Sequence, residues 1–477
     1  MADQVEFEME FDARMSDTDA LMWTIEKDPL LRSTITTVMV FDRPIDHERL
    51  HRRLDRVSRV VPRLRQRVQG HPFSVAPPRW DVDPNFDLDY HVRFTRAGTL
   101  GRDDADQPGH LRDVLDLAAP VAMQGFDRAR PLWEFTLVDD LDGGRCALIT
   151  KVHHSITDGV GGVKLLMELL DLERDVPEDD VLPEAPVASP RGEPGRLVDA
   201  FAYEGRRQVG AVGHLVTSAL AQAGRVTSDP LGIGTQLLTT AGSVVRMVSP
   251  ATEPLSPIMT GRSLSVHFDT LAVPVAPLKR ASKLVGGKLN DAFVAGVTGG
   301  LGRYHRELGE PVDQLRMTMP INIRNAATAS VAGNQFAPAR FAVPVGIVDP
   351  LARMNAGREI MARQRREPGL ALSDALASII NRLPATASTG LFGAMLRGID
   401  FVTSNVPGPP IPVYLGGALL ERQIAFGPMT GAATNITVLS YVDELNIGVN
   451  TDPRAVEHPK LFMECLHEGF EEIIALN

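Results

Sequence analysis

The chain has 477 residues, of which 44% are hydrophobic and 23% charged, and a net charge of −11. That length exceeds what one core normally fills, so at least two domains of an ordinary globular protein are expected. The acidic balance argues against nucleic acid as a partner, because phosphate binding relies on a basic surface. The only cysteines, Cys146 and Cys465, lie far apart and suggest a reducing compartment with no disulfide framework. The acidic N-terminus has no apolar core and does not read as a signal peptide. No uninterrupted apolar run approaches the roughly 20 residues of a membrane span. A cytoplasmic protein is therefore expected, with any membrane contact peripheral.

In chain order, residues 19–27 read as a short helix and 33–41 as a β-branched strand. Leu50, Leu54, Val57, Val60 and Val61 give 46–61 helical periodicity, which Pro62 ends. Residues 72–84 read as loop, 90–95 as strand, 110–123 as helix and 133–138 as strand. Asp142-Gly143-Gly144 predicts a hairpin turn into a buried strand over 146–152. From Val163, apolar residues through Leu172 recur at helical spacing. Acids and Pro177, Pro183, Pro186, Pro190 and Pro194 mark 175–196 as a linker. Residues 197–226 and 231–248 predict two amphipathic helices that pack on or bridge the domains; a membrane-facing role ranks second, for want of a dense Lys/Arg face.

The second half predicts a strand over 264–273 and a helix over 277–284, stopped by Gly286-Gly287. Asn290 opens a helix with an apolar face of Phe293, Val294, Val297, Leu301 and Tyr304, where an N-cap role and a chemical one carry equal weight. Strands follow at 315–321 and 333–341. In the helix over 352–367, Arg353, Arg358, Arg363, Arg365 and Arg366 read as a solvated face. A strand over 400–406 ends in Val406-Pro-Gly-Pro-Pro, 435–440 and 445–449 form a hairpin, and 459–476 a closing helix.

The chemistry concentrates at His153-His154-Ser-Ile-Thr-Asp158-Gly159. A strand that ends in titratable side chains, turns on glycine and enters a helix presents reactive groups at the rim of a rigid sheet. Successive strand side chains point to opposite faces, so one of the two histidines at most faces a given cleft. Taken singly, Asp158 reads as a helix cap, Gly159 as a turn residue and Trp133 as a buried aromatic at a strand start. Metal is the weakest reading, since the other histidines are scattered and the cysteines lack metal-site spacing.

The whole string resembles the HHxxxDG signature of bacterial wax ester synthase/diacylglycerol acyltransferases, within the acyl-CoA-dependent acyltransferases built like chloramphenicol acetyltransferase and condensation domains. Pro131-Leu132-Trp133, Asn290-Asp291, Pro320-Ile-Asn322-Ile-Arg324, Gly333-Asn334-Gln335-Phe336 and Thr403-Ser404-Asn405-Val406-Pro407-Gly408-Pro409 support it in family order. Met15-Ser-Asp-Thr-Asp19-Ala20 resembles the family's opening, with its usual proline replaced.

The resemblance implies an α/β fold of two chloramphenicol acetyltransferase-like subdomains, each a mixed sheet with flanking helices, joined by a helical linker. The division falls at 1–175, 176–262 and 263–477. It implies an O-acyltransferase that esterifies diacylglycerol or a long-chain alcohol with acyl-CoA as co-substrate and no other cofactor. His154 is the expected general base, with His153 supporting the loop, and Asn290 the expected oxyanion donor. Asp158 pairs with an arginine, for which Arg324 is the candidate. Gly159, Trp133, Ser404 and Asn405 are expected to line the substrate channel, the segment carrying Ser404 and Asn405 being a crossover element in related folds. The arginines of 352–367 are a weaker candidate for coenzyme A phosphates. The alternatives are a condensation-type enzyme using a carrier-protein thioester and a non-catalytic lipid-binding or lipid-droplet protein.

Overall fold

The structure, a computed structural model, describes residues 11–70, 76–97, 108–156, 159–177, 181–189, 192, 195, 198–206, 253–322, 336–367, 377–378, 380–382, 385–396 and 398–476. Two mixed six-stranded sheets organise it.

The first half runs α1 (Asp17–Ile25), β1 (Thr34–Phe41), α2 (His47–Val60), β2 (Gln66–Gln69), β3 (Arg79–Val82), α3 (Leu88–His91), β4 (Val92–Arg96), α4 (Leu111–Met123), β5 (Trp133–Leu141), β6 (Arg145–His153) and α5 (Gly159–Leu169). β3 pairs antiparallel with β2 and falls in the stretch read as loop. Its four residues are too few to display an alternation. The β5–β6 connection needs positive φ at two successive positions, 72° at Gly143 and 70° at Gly144, which glycine adopts without penalty.

β1 and β6 are central in their sheet, in antiparallel register Thr34↔His153 to Phe41↔Cys146. Period-two alternation gives this sheet two apolar faces. Met39, Phe41, Phe135 and Leu148 pack with Leu50 and Leu54 of α2 and Leu165 and Leu169 of α5. Val38, Val40, Val138 and Ile149 pack on the opposite side with Val114, Leu115 and Ala118 of α4.

The second half runs β7 (His267–Pro274), α6 (Val275–Leu284), α7 (Leu289–Glu307), β8 (Gln314–Asn322), β9 (Phe336–Pro344), α8 (Pro350–Gln364), α9 (Ala385–Leu396), β10 (Phe401–Pro407), β11 (Tyr414–Leu415), β12 (Ala418–Phe426), β13 (Thr434–Tyr441), β14 (Glu444–Thr451) and α10 (Pro459–Ile474). Its sheet has the order β7-β14-β13-β10-β8-β9. Helix α7 is buried for most of its length, and α10 reaches it through glycine. A Cβ on Gly300 would stand 2.6 Å from Leu466 Cα, so only hydrogen fits between the two backbones.

The strand carrying Ser404 and Asn405 is not itself the crossover. β10 stays in the second sheet, parallel to β13 and β8, while β11 and β12 leave it. β12 pairs antiparallel with β1, Thr36↔Phe426 through Phe41↔Leu420, and completes the first sheet from the far end of the chain. The sequence pattern did not reveal β12, because polar Arg422 and Gln423 interrupt its apolar residues and Gln423 is buried by the pairing.

Residues 181–189 carry no regular structure, in keeping with the linker, and 198–206 are helical; 207–252, with the rest of the two expected helices, lie outside the described residues. Arg353 corrects the reading of the 352–367 arginines as a solvated face. It is buried, donates to the carbonyls of Ala295, Ile347 and Val348, and pairs with Glu472 at 2.7 Å. Arg363, Arg365 and Arg366 are exposed.

Candidate active site

β6 delivers the two histidines, and the ladder runs one residue past the strand: the His154 N–H donates to the Ser33 carbonyl at 2.7 Å. Alternation therefore persists through His154. It sets that residue on the side of Val152, which packs on the core containing Trp133 and Phe135, and turns His153 the other way. His154 is half-buried and His153 fully buried.

His153 is hydrogen-bonded at one ring nitrogen and faces a carboxylate at the other. Its Nδ1 accepts the Ser155 backbone N–H at 3.0 Å and lies 2.6 Å from Ser155 Oγ. Its Nε2 lies 2.9 Å from Glu26 Oε1. The edges of Trp23 and Phe126 wall the ring, with centroids at 5.6 and 6.0 Å. Glu26 also accepts the Ser33 N–H at 2.8 Å. Burial alone would raise the Glu26 carboxyl, but His153, the Ser33 N–H and Arg128 outweigh it and hold the group below the usual glutamate range.

The facing elements belong to the second half. Asn290 is the second residue of α7 rather than its N-cap, which is Lys288. The Asp291 carboxylate accepts the Lys288 N–H at 2.6 Å, which relieves Asn290 of capping. The Asn290 amide lies against sulfur, with Nδ2 3.8 Å from Met319 Sδ and 3.7 Å from Met361 Sδ. Its Oδ1 accepts from Asn405 Nδ2 at 3.1 Å. Asn405 is exposed on β10 and Ser404 half-buried beside it.

A shared core joins these parts. Ile156, two residues beyond His154, is buried in the first-half cluster, and Val406, next to Asn405, packs on that same cluster. Helix α5, which starts at Gly159, packs against both α2 and β10. The helix that follows the histidine turn thus lies beside the strand that carries Asn405, while Asn405 itself sits on the opposite face of that strand from Val406, with Asn290. A further, narrow cleft between the halves is lined by Thr34, Thr36, Met123, Phe426 and Asn450. Thr34 and Thr36 are register partners of His153 and Lys151, so this cleft opens on the His153 face of the sheet.

Other expected site residues fall elsewhere. Trp133 is fully buried, donates its indole N–H to the Leu64 carbonyl at 2.8 Å and stacks on His91 with centroids 4.5 Å apart. It is a core anchor and not a channel wall. Asp158 and Arg324 lie outside the described residues, as does their expected pairing. Burial pushes the Cys146 thiol up to about 12 and that of Cys465 to about 11, so neither is a ready nucleophile. Glu26, Ser33 and Ser155 escaped the sequence reading; only Ser155, inside the motif, had a local signal.

The wax ester synthase/diacylglycerol acyltransferase catalytic domain matches residues 15–293, and the C-terminal domain of the same family matches residues 332–474. The chain belongs to this family. A Mycobacterium tuberculosis strain H37Rv protein whose assigned name is diacylglycerol O-acyltransferase is 37% identical over 467 residues, covering 97% of this chain and 93% of the relative. A second protein of that strain and assigned name is 29% identical over 480 residues, 97% of each chain. Among solved structures, the wax ester synthase/diacylglycerol acyltransferase from Marinobacter aquaeolei VT8 superposes with a TM-score of 0.62 at 20% identity, covering 96% of this chain and 98% of that one. The first condensation domain of the CDA synthetase gives a TM-score of 0.57 at 17% identity, covering 96% and 95%. The protein is an acyltransferase on the chloramphenicol acetyltransferase-like fold. None of its described helices is long and apolar enough to cross a membrane.

Proposed function

We propose that this acyltransferase joins the acyl group of acyl-CoA to the hydroxyl of diacylglycerol or a long-chain alcohol, with His154 as general base. The observation that carries the reading is the packing of helix α5, which follows the His154 turn, against β10, the strand whose Asn405 is hydrogen-bonded to Asn290. A neutral imidazole takes the alcohol proton as the oxygen attacks the thioester carbonyl. The new C–O bond leaves a tetrahedral oxyanion. As the C–S bond breaks, the imidazolium returns its proton to the departing thiolate, so no acyl-enzyme and no further cofactor are needed. Such a base supplies on the order of 10² to 10⁴ in rate.

The oxyanion needs preorganised donors. Two amides meet that need together. Among the described residues Asn290 Nδ2 contacts only weak sulfur acceptors, and Asn405, itself exposed, spends one N–H on Asn290. Asn290 Oδ1 fixes the direction of the Asn405 amide, and a shift of Asn290 away from the methionines would add a second donor.

Purified protein given acyl-CoA and a panel of acceptors should release coenzyme A and form an ester in equal amounts, and His154→Ala should slow both by about 10² to 10⁴. Turnover with an acyl-carrier protein and none with acyl-CoA would favour the condensation-type alternative. Binding of labelled lipid with no ester from any donor would favour the non-catalytic one. The acceptor is apolar, so the enzyme must meet it at a lipid surface; co-flotation with vesicles containing diacylglycerol tests that contact.

A further inference from the structure

An acidic side chain at the C-terminal end of a helix opposes the macrodipole, and Glu26 occupies that place on α1. Helix stability does not account for it, nor does solvent, since its side chain is 8% exposed. Its partners do. One oxygen, Oε1, receives the Ser33 N–H at 2.8 Å and stands 2.9 Å from His153 Nε2. The carbonyl of that same Ser33 receives the N–H of His154 at 2.7 Å. A backbone N–H can only donate, so the Ser155 contact at 3.0 Å makes His153 Nδ1 an acceptor and places the ring proton on Nε2, toward the carboxylate.

We propose that Glu26 is a positioning residue for the base: it ties the strand on either side of His154, through Ser33 and through the His153 ring, and so fixes the angle at which the reactive imidazole leaves the sheet. This assignment rests on His154 being the base. Glu26 touches no substrate. Its contribution is geometric, and a misplacement of about 1 Å at a reacting group can cost on the order of 10² in rate.

The test compares Glu26→Ala, Glu26→Gln and His154→Ala in the full chain, with acyl-CoA and the best acceptor. Glu26→Ala should lose about 10- to 100-fold in kcat with both KM values within about twofold of wild type, because binding surfaces are untouched. Glu26→Gln is isosteric and keeps an oxygen that accepts from Ser33 and stands beside His153 Nε2, so it should fold and recover kcat to within about threefold of wild type. Imidazole nitrogen shifts should show His153 with Nδ1 bare and Nε2 protonated in wild type and Glu26→Gln, and a tautomer mixture in Glu26→Ala. A Glu26→Ala enzyme with unchanged kcat, a loss matched by its unfolded fraction in circular dichroism, or a Glu26→Gln enzyme as slow as Glu26→Ala would each overturn the assignment. Full activity in His154→Ala would sink the choice of base; an inactive His154→Ala beside an unimpaired Glu26→Ala would sink the role of Glu26 alone.

Discussion

The two walls of the candidate site are built to different standards of rigidity. On the histidine side, His153 is sealed, Ser155 holds its Nδ1, Glu26 stands 2.9 Å from its Nε2, and the His154 backbone is pinned to Ser33. On the amide side, Asn290 rests against two methionine sulfurs and holds an exposed Asn405. Thioethers are flexible and weakly accepting. Both a base and an oxyanion donor act best when preorganised, so the amide wall needs bound substrate to order it, whereas the histidine wall is ordered beforehand.

Substitutions on each wall can break that contrast. The largest effect is expected at His154→Ala, a fall in kcat of about 10² to 10⁴, equivalent to about 3 to 5 kcal/mol, read from coenzyme A release. The second half has its own rigid anchor away from the amides. Arg353→Met strips three carbonyls of their donor and leaves Glu472 to Arg303 alone, and should cost about 3 kcal/mol in urea unfolding, against less than about 0.5 kcal/mol for exposed Arg365→Ala.

Acid should loosen the histidine half. Burial holds the His91 imidazole down at about 4, beneath Trp133. A depressed folded-state pKa means the unfolded chain binds the proton first. The stability is therefore complete above about pH 6.5 and lost as pH falls toward 4, some 3 kcal/mol in all. Glu26 adds a loss at lower pH, since its carboxylate is held below the ordinary range and is protonated in the unfolded chain first. Denaturation midpoints across pH 4 to 7 should show the first slope in wild type and a flatter one in His91→Asn.

The smallest effects sharpen the assignment on the amide wall. Asn405→Ala should lower kcat about a hundredfold, about 2.7 kcal/mol, if its other N–H meets the oxyanion. Asn290→Ala should cost less, about tenfold, if it mainly orients Asn405. A reversed order would make Asn290 the principal donor.

Most of the elements were legible because their signals are local. The β-branched run of β1, the periodicity of α2 and α7, the glycine turn at 143–144 and the Pro-rich 175–196 stretch are each written within a few residues. The histidine motif was legible for the same reason, since its strand, turn and helix are contiguous. β3 and β12 were not, one for its length and the other for the polar residues that pairing buries. Arg353 looked solvated because its partners, Ala295 and Glu472, lie on other helices.

The sequence by itself determined which family this chain joins, that it has two halves, and which turn carries the paired histidines. Tertiary structure alone decided that β12 closes the first sheet, that Trp133 is an anchor beneath the site, that Asn405 meets Asn290, and that a glutamate at the end of α1 reaches the histidine strand. The division has one physical cause. Backbone periodicity and turn geometry act over a few residues, whereas the partner of a buried polar group is chosen by packing between segments brought together only when the chain folds.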